Sequence, residues 1–218
     1  MSLTKSTMWR AAALVIALPL LLGACASDDP TDPGSDSSAP GAESDAPSPD
    51  LAEDREWTGT MVIGGESVEI SLDGEKAPQA VASFVTLAQD GFFDGVACHR
   101  LTTQGIYVLQ CGDPSGDGTG GPGYSFGPVE NDPADGVYPA GTIAMARMGN
   151  DGDSNGSQFF LVYKESTIPA DSAGGYTVFG AVTGGLDVVQ SIAAGGVDGG
   201  GADGAPATPA VIESIAVQ

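Results

Sequence analysis

The chain has 218 residues and carries 29 acidic side chains against only 7 lysines and arginines, a formal net charge of −22 at pH 7. This charge excludes a nucleic-acid-binding protein, because such a protein must neutralise phosphates with basic side chains. It also argues against adhesion to anionic lipid headgroups, which attract basic segments.

Residues 1–24 have the pattern of a signal peptide. A short basic head precedes an apolar run over 11–22, which is too short to span a bilayer. The run ends in Leu-Gly-Ala-Cys at 22–25, which resembles a bacterial lipobox, so we expect Cys25 to be lipidated and to become the mature N-terminus. Lipidation with two or more acyl chains predicts a stable anchor at the extracytoplasmic face of the cell membrane. Ordinary secretory cleavage is the alternative, since small residues flank the cysteine.

Residues 25–56 form a predicted linker. They are rich in Asp, Glu, Ser, Pro, Gly and Ala, with Arg55 as the only base. Such a composition buries too little apolar surface to offset the entropy of ordering, so we expect a disordered acidic tether. As a random coil it would reach about 30 Å. An acidic segment that binds a partner is the alternative.

Residues 57–218 are enough for one hydrophobic core and too few for two. Abundant glycine and short apolar runs between turn signals favour a mainly β domain. The predicted strands span 60–63, 67–72, 97–102, 107–111, 142–146, 158–162, 178–182 and 211–217.

Two segments have helical patterns. The first begins at Ala77-Pro78, with proline at the first helical position, and ends before Gly91. The second spans 186–193 and is closed by two glycines. Eight strands and two helices predict a closed eight-stranded antiparallel barrel capped by the helices. The acidic, glycine-rich stretch 195–204 is predicted to be a flexible loop.

Several short motifs occur in a fixed order along this domain. They are His-Arg at 99–100, Gln-Cys-Gly-Asp at 110–113, Gly-Gly-Pro-Gly-Tyr at 120–124, Ile-Ala-Met-Ala at 143–146 and Gly-Ser-Gln-Phe-Phe at 156–160. In order and spacing they resemble the cyclophilin family of peptidyl-prolyl cis-trans isomerases, and the lipobox adds a resemblance to exported bacterial lipoprotein members. The similarity covers essentially all of 57–218 and implies a cyclophilin-like barrel with a substrate groove on its outer face.

The resemblance implies catalysis of rotation about X–Pro bonds. Rotation about a peptide bond costs about 18–20 kcal/mol, which makes uncatalysed X–Pro isomerisation slow. Twisting leaves a lone pair on the prolyl nitrogen, and a fixed donor aimed there binds the twisted state better than either planar state. By resemblance Arg100 is this donor, and Gln110 supports it or holds the substrate carbonyl. A structural ion pair is the alternative role for Arg100.

The resemblance also assigns the residues of the groove. They are Tyr107, Val108, Phe160 and Phe179 around the proline, Ala146 and Arg147 through their backbone, Gln158 at the flank, and Tyr176 in the place of a family histidine. For the two phenylalanines, packing in the core is the alternative.

This chain departs from the family pattern at several of these positions. Arg147 replaces the usual asparagine, the segment 165–169 has no tryptophan, and two extra residues lengthen the connection at 103–106. We expect the donor chemistry to survive these changes, the substrate preference to differ, and cyclosporin-type inhibitors to bind weakly.

We expect neither a cofactor nor a metal ion. The stretch 151–156 begins like a calcium-binding EF loop, but its twelfth position is Val162 instead of glutamate. Two cysteines remain besides the lipidated one, Cys98 and Cys111, and an exported protein can oxidise such a pair. Across a regular hairpin, however, the two cysteines would lie on opposite faces. The sequence therefore leaves a disulfide and two free thiols as alternatives.

The sequence thus predicts a monomeric, membrane-anchored isomerase that accelerates X–Pro rotation in unfolded or exported proline-containing polypeptides. A catalytically weak module that binds such peptides is the alternative, and a structural envelope lipoprotein is the third hypothesis.

Overall fold

The computed structural model describes residues 45–218. The predicted signal peptide, Cys25 and the first part of the predicted linker lie outside the described residues. The strands are β1 (Glu56–Ile63), β2 (Glu66–Asp73), β3 (Val96–Ala97), β4 (Arg100–Thr102), β5 (Val108–Cys111), β6 (Val137–Tyr138), β7 (Thr142–Met145), β8 (Phe159–Val162), β9 (Ser166–Thr167), β10 (Val178–Gly184), β11 (Asp203–Gly204) and β12 (Val211–Val217). The helices are α1 (Pro78–Gln89), α2 (Leu186–Ala194) and two short 3₁₀ helices, Pro49–Ala52 and Asp198–Gly200.

Ten strands form one curled antiparallel sheet in the order β11-β4-β5-β8-β7-β10-β2-β1-β12-β3, and β6 pairs with β9. The sheet is a half-barrel, so the predicted closed eight-stranded barrel is wrong, although the mainly β class and both helices are confirmed. The predicted strand 97–102 breaks at Cys98 and His99. Before the break β3 pairs with β12, and after it β4 pairs with β5. Within residues 45–218 no ladder joins β3 to the opposite edge strand, β11.

Helix α1 covers the inner face of the sheet. It begins at Pro78 and ends at Gln89, as predicted. Its Phe84 ring lies 5.4 Å from the ring of Phe159 in a T-shaped contact, which joins the helix to β8 in the main core. Among the described residues, no helix has the length and apolar character needed to cross a bilayer.

A carboxylate from a distant loop caps α1. The Glu130 oxygens accept hydrogen bonds from the backbone N–H groups of Gln79 and Ala80, each at 3.0 Å. These N–H groups have no partner within the helix, and an anion is favoured at this end of its dipole. Burial raises the pKa of the Glu130 carboxyl against the effect of these two bonds.

Ordered structure begins before Trp57. Residues 49–52 form a 3₁₀ helix in which Ala52 is fully buried, and the Trp57 indole N–H donates to the Ala52 carbonyl at 2.9 Å. The Gln79 side chain donates to the Pro47 carbonyl at 2.8 Å. The end of the segment that we assigned to the linker is therefore packed on the domain.

The stretch 195–204, predicted to be a flexible loop, is fastened to the sheet. Its strand β11 pairs with β4, and the Thr103 N–H donates to the Ala202 carbonyl at 2.8 Å. The backbone also bonds across the loop, from the Asp198 N–H to the Ala205 carbonyl at 2.8 Å. Glycine supplies the turn between these bonds, because Gly199 and Gly200 have φ of 73° and 79°.

Candidate active site

The site lies on the outer face of the sheet, where one row of paired residues crosses four strands. Arg100 of β4 pairs with Gln110 of β5, which pairs with Phe160 of β8, which in turn pairs with Ala144 of β7. Residues paired across neighbouring strands point to the same face. The register of the sheet therefore sets a cationic, an amide and an aromatic side chain next to one another.

Beside this row is a small pocket of about 150 Å³. Its lining residues are Arg100, Ile106, Val108, Gln110, Ala146, Arg147, Phe160, Ile168 and Tyr176. Val108 and Phe160 belong to a buried apolar cluster that is separate from the main core. The pocket thus has an apolar floor with a guanidinium and an amide at its rim.

The side-chain amides at the rim belong to a chain of hydrogen bonds that starts at Arg100 and that we call the relay. The Arg100 Nη1 donates to Gln110 Oε1 at 3.2 Å, and the Gln110 Nε2 donates to Gln158 Oε1 at 2.8 Å. The Gln158 Nε2 in turn donates to the carbonyls of Gly118 and Gly120, at 3.0 and 2.9 Å. The Gln110 side-chain oxygen is consequently held toward the guanidinium.

Arg100 also forms an ion pair, the alternative role considered for it, with a partner that was not predicted from the sequence. Its Nε and Nη2 donate to the two carboxylate oxygens of Asp203, each at 2.8 Å. These hydrogen bonds lower the pKa of Asp203 and raise the pKa of Arg100. Arg100 therefore has the structural ion pair considered as its alternative role, and its side chain also lines the pocket.

The Arg147 side chain is buried, with 1% of it exposed. It donates to the carbonyls of Gly174 and Gly175 at 2.7 and 3.0 Å, and it forms a bidentate pair with Asp171 at 2.9 and 3.0 Å. The guanidinium holds the pKa of Asp171 well below its usual range. Arg147 thus fastens the segment 171–175, a role beyond the backbone contact predicted for it.

Tyr176 forms one wall of the pocket. Its ring contacts that of Phe160 edge-on, with 5.5 Å between centroids. Its backbone N–H donates to the hydroxyl of buried Tyr138 at 2.8 Å. Tyr138 was not predicted from the sequence, because it lies in a two-strand ribbon with no apolar periodicity.

Two predicted pocket residues lie elsewhere. Tyr107 faces away from Val108. The centroid of its ring lies 6.0 Å from that of the Tyr163 ring and 4.1 Å from the ammonium nitrogen of Lys164. Phe179 is fully buried in the main core, 5.2 Å from the ring of Phe84. Successive residues of an extended segment point to opposite faces of the sheet. Tyr107 and Phe179 therefore face the main core, whereas Val108, next to Tyr107, faces the pocket. Ile106 and Ile168 line the pocket in their place.

Cys98 and Cys111 are joined by a disulfide. The regular ladder between β4 and β5 begins only at Arg100, so Cys98 is free of the hairpin register that would have separated the two sulfurs. Both cysteines lie in the main core. The bond ties the segment that precedes Arg100 to the residue that follows Gln110.

His99, the only histidine, gives no catalytic dyad. Both ring nitrogens are buried, and neither has a hydrogen-bond partner among the described residues. Burial lowers the pKa of this imidazole, which favours its neutral form. Residues 45–218 also contain no group of three or more His, Cys, Asp or Glu placed to hold a metal ion. Asp151 and Asn155 instead accept from or donate to the backbone of their own turn.

The fold and the site together define a mainly β protein with a small, largely apolar pocket beside a guanidinium that is held by hydrogen bonds. Residues 59–217 match the family of cyclophilin type peptidyl-prolyl cis-trans isomerases. The chain belongs to this family.

Two relatives illustrate the similarity. The probable peptidyl-prolyl cis-trans isomerase B of Mycobacterium tuberculosis is 46% identical over 170 residues, which cover 72% of this chain and 53% of the relative. This chain therefore spans about half of that relative's length. The peptidyl-prolyl cis-trans isomerase B of Bacillus subtilis is 40% identical over 134 residues, which cover 61% of this chain and 87% of the relative.

The fold is shared with a solved structure. A Cryptosporidium parvum cyclophilin type peptidyl-prolyl cis-trans isomerase superposes with a TM-score of 0.63 at 24% identity, over 75% of this chain and 98% of the other. A second structure of that protein, in the presence of the dipeptide Ala-Pro, superposes with a TM-score of 0.61 over 74% of this chain.

Proposed function

We propose that this chain is a peptidyl-prolyl cis-trans isomerase that accelerates rotation of X–Pro bonds in unfolded polypeptides. One observation carries the proposal: Arg100 is held at the rim of an apolar pocket, and two of its N–H groups have no partner within residues 45–218. A guanidinium has five N–H donors, of which Asp203 and Gln110 take three. The other two, on Nη1 and Nη2, are available to a substrate.

The apolar pocket suits a proline ring. Proline has no backbone N–H, so it enters an apolar site without leaving a donor unpaired. Val108 and Phe160 form the floor, and Tyr176 forms a wall. With the ring held there, the X–Pro bond lies across the row that contains Arg100 and Gln110.

Arg100 then stabilises the twisted bond. Twisting ends the conjugation of the prolyl nitrogen, which gains a lone pair, and a charged donor binds that lone pair more strongly than it binds a planar amide. A thousandfold to hundred-thousandfold acceleration requires about 4–7 kcal/mol. The relay through Gln110 and Gln158 keeps the donor in place throughout, so the twisted state is met by a site that needs no rearrangement.

The test is exchange spectroscopy on a short X–Pro peptide with the full-length chain. We expect fast cis–trans exchange, reduced at least tenfold in Arg100→Lys, which keeps the charge but loses the planar fork. Arg55→Lys is the matched control, because Arg55 pairs with Glu53 outside the pocket. Peptide binding without acceleration by the wild type would refute turnover and leave a binding module; no binding would refute both.

We further propose that the chain acts as a monomer anchored by lipid on Cys25 at the outer face of the cell membrane, on exported proteins. The lipobox and the acidic tether support this location. The Cys98–Cys111 disulfide supports it independently, because such bonds persist in oxidising compartments.

The anchor is tested by fatty-acid labelling and fractionation of cells that express the chain. We expect label and membrane association in the wild type and neither in Cys25→Ser. Cys98→Ser is the matched control, which should keep its label. A labelled Cys25→Ser protein would contradict the anchor.

A further inference from the structure

Asp203 is placed beside Arg100 by backbone pairing. Strand β11 pairs with β4 in a register that aligns Asp203 with Thr102 and Gly204 with Leu101. The bond from the Thr103 N–H to the Ala202 carbonyl continues this pairing. The strand that carries the guanidinium therefore also holds the carboxylate in reach of it, although the two residues are 103 positions apart.

Asp203 contacts the guanidinium on the side away from the pocket. It lines a second cavity of about 390 Å³, together with Arg100 and Gln110, and it does not line the apolar pocket. Its two oxygens take Nε and one N–H of Nη2, so the terminal N–H groups remain toward the substrate side. A group in this position acts on the reaction only through Arg100.

On this geometry, and on the isomerase function proposed above, we propose that Asp203 is a positioning residue for Arg100. The Arg100 side chain is 40% exposed, and an exposed arginine samples many rotamers. A bidentate carboxylate restricts the guanidinium to one plane and one direction. Asp203 thus keeps the donor oriented before the substrate arrives, and pre-set orientation speeds a reaction step.

The kinetic test compares Asp203→Asn with Asp198→Asn in the full-length chain. Asp198 lies in the same loop, and its carboxylate makes no hydrogen bond or ion pair among the described residues. We expect kcat to fall about three- to tenfold in Asp203→Asn with KM within twofold, because the residue does not touch the substrate. Asp198→Asn should match the wild type. An unchanged or raised kcat in Asp203→Asn overturns the proposal.

A double variant separates positioning from a general structural effect. If Asp203 acts through Arg100, Asp203→Asn costs nothing further in an Arg100→Ala background. The same three- to tenfold loss in both backgrounds overturns the proposal.

A spectroscopic measurement distinguishes failure of this inference from failure of the isomerase function. In ¹H–¹⁵N spectra of the arginine side chains, we expect the Arg100 Nε–H to exchange slowly with water. The exchange should become faster in Asp203→Asn and stay slow in Asp198→Asn. An Nε–H that is insensitive to Asp203→Asn overturns the positioning role whether or not the wild type turns over peptide.

Discussion

The guanidinium carbon of Arg147 lies 4.8 Å from the centroid of the Tyr176 ring, so a buried cation backs the aromatic wall of the pocket. A cation over an aromatic face is stabilising, most of all when both are shielded from water. The same guanidinium donates hydrogen bonds to the carbonyls of Gly174 and Gly175, the two residues directly before Tyr176. Arg147 and Tyr176, both departures from the family pattern, therefore form one structural unit.

Replacing Arg147 with the asparagine usual in the family should damage this unit. In Arg147→Asn the carbonyls of Gly174 and Gly175 lose their donor, and we expect about 2–4 kcal/mol less free energy of unfolding. KM should rise about fivefold as Tyr176 loses support. Urea unfolding and peptide kinetics measure the two effects. Arg55→Asn is the control: Arg55 stacks on the Trp57 ring at 3.7 Å but at the surface, so its loss costs under about 1 kcal/mol.

Acid should destabilise the chain partly through Asp171. Its pKa is lowered, first by the hydrogen bonds from Arg147, so its contribution to stability is complete above the unfolded pKa of about 3.9. That contribution is lost as pH falls from there through the lower folded pKa. Melting temperatures between about pH 5 and about pH 2.5 should therefore fall less steeply in Asp171→Asn than in the wild type. Equal slopes in both proteins would contradict this assignment.

Alanine variants of Phe160 and Phe179 should separate the effect of the pocket on peptide binding from the effect of the main core on stability. Phe179→Ala opens a cavity in the main core and should cost about 3–5 kcal/mol of unfolding free energy. Phe160→Ala removes the floor of the pocket and should weaken peptide binding at least tenfold. Isothermal titration and urea unfolding of both variants check the assignment. Stronger loss of binding in folded Phe179→Ala than in Phe160→Ala would reverse it.

The disulfide should stabilise the chain by limiting its unfolded state. Cys98 and Cys111 close a loop with a sequence separation of 13, for which chain entropy predicts about 3 kcal/mol. The variant Cys98→Ala/Cys111→Ala should lose this amount and become insensitive to reductant in guanidinium unfolding. A wild type whose unfolding midpoint does not respond to reductant would refute the prediction.

Net charge should favour basic substrates. Each of the five lysines and arginines in residues 45–218 lies against a carboxylate or an aromatic ring. The electrostatic field around the protein is therefore dominated by its acidic groups. We expect a lysine-flanked X–Pro peptide to have a higher kcat/KM than its glutamate-flanked equivalent at low salt. The ratio should fall toward one as salt is raised, since salt screens this attraction. A ratio that salt does not change would point to a direct contact instead.

Sequence reasoning placed Arg100 beside Gln110, as the structure has them, because this juxtaposition depends on strand register. Arg100 and Gln110 are ten residues apart in a hairpin, and their pairing follows from that spacing. The assignment of Tyr107 to the pocket was avoidable, since Tyr107 and Val108 are neighbours in an extended segment and cannot both face the pocket. For Phe179 the structure shows the alternative that was considered, packing in the core. Ile106 has the correct parity and could have been chosen.

Asp203 could not be found in this way. It lies in a short acidic stretch with no apolar periodicity, and its partner is far away in the sequence. Pairing of β11 with β4 depends on tertiary packing, for which the local residues carry no signal. The disulfide and the open edge of the sheet share one cause, the departure of Cys98 and His99 from the ladder, which residue patterns alone do not reveal.

The extra residues at 103–106 lie in the connection between β4 and β5, outside the ladder that joins these two strands. Lengthening that connection leaves the row from Arg100 to Ala144 in register. Its length is consequently a variable that evolution or protein engineers can change, to extend or shorten the rim that a bound polypeptide meets, provided that Thr103 stays bonded to Ala202 and Ile106 stays in the pocket lining. Libraries that vary the length and sequence between Thr103 and Ile106, at Gln104 and Gly105, are the natural starting point for altering which clients the protein accepts.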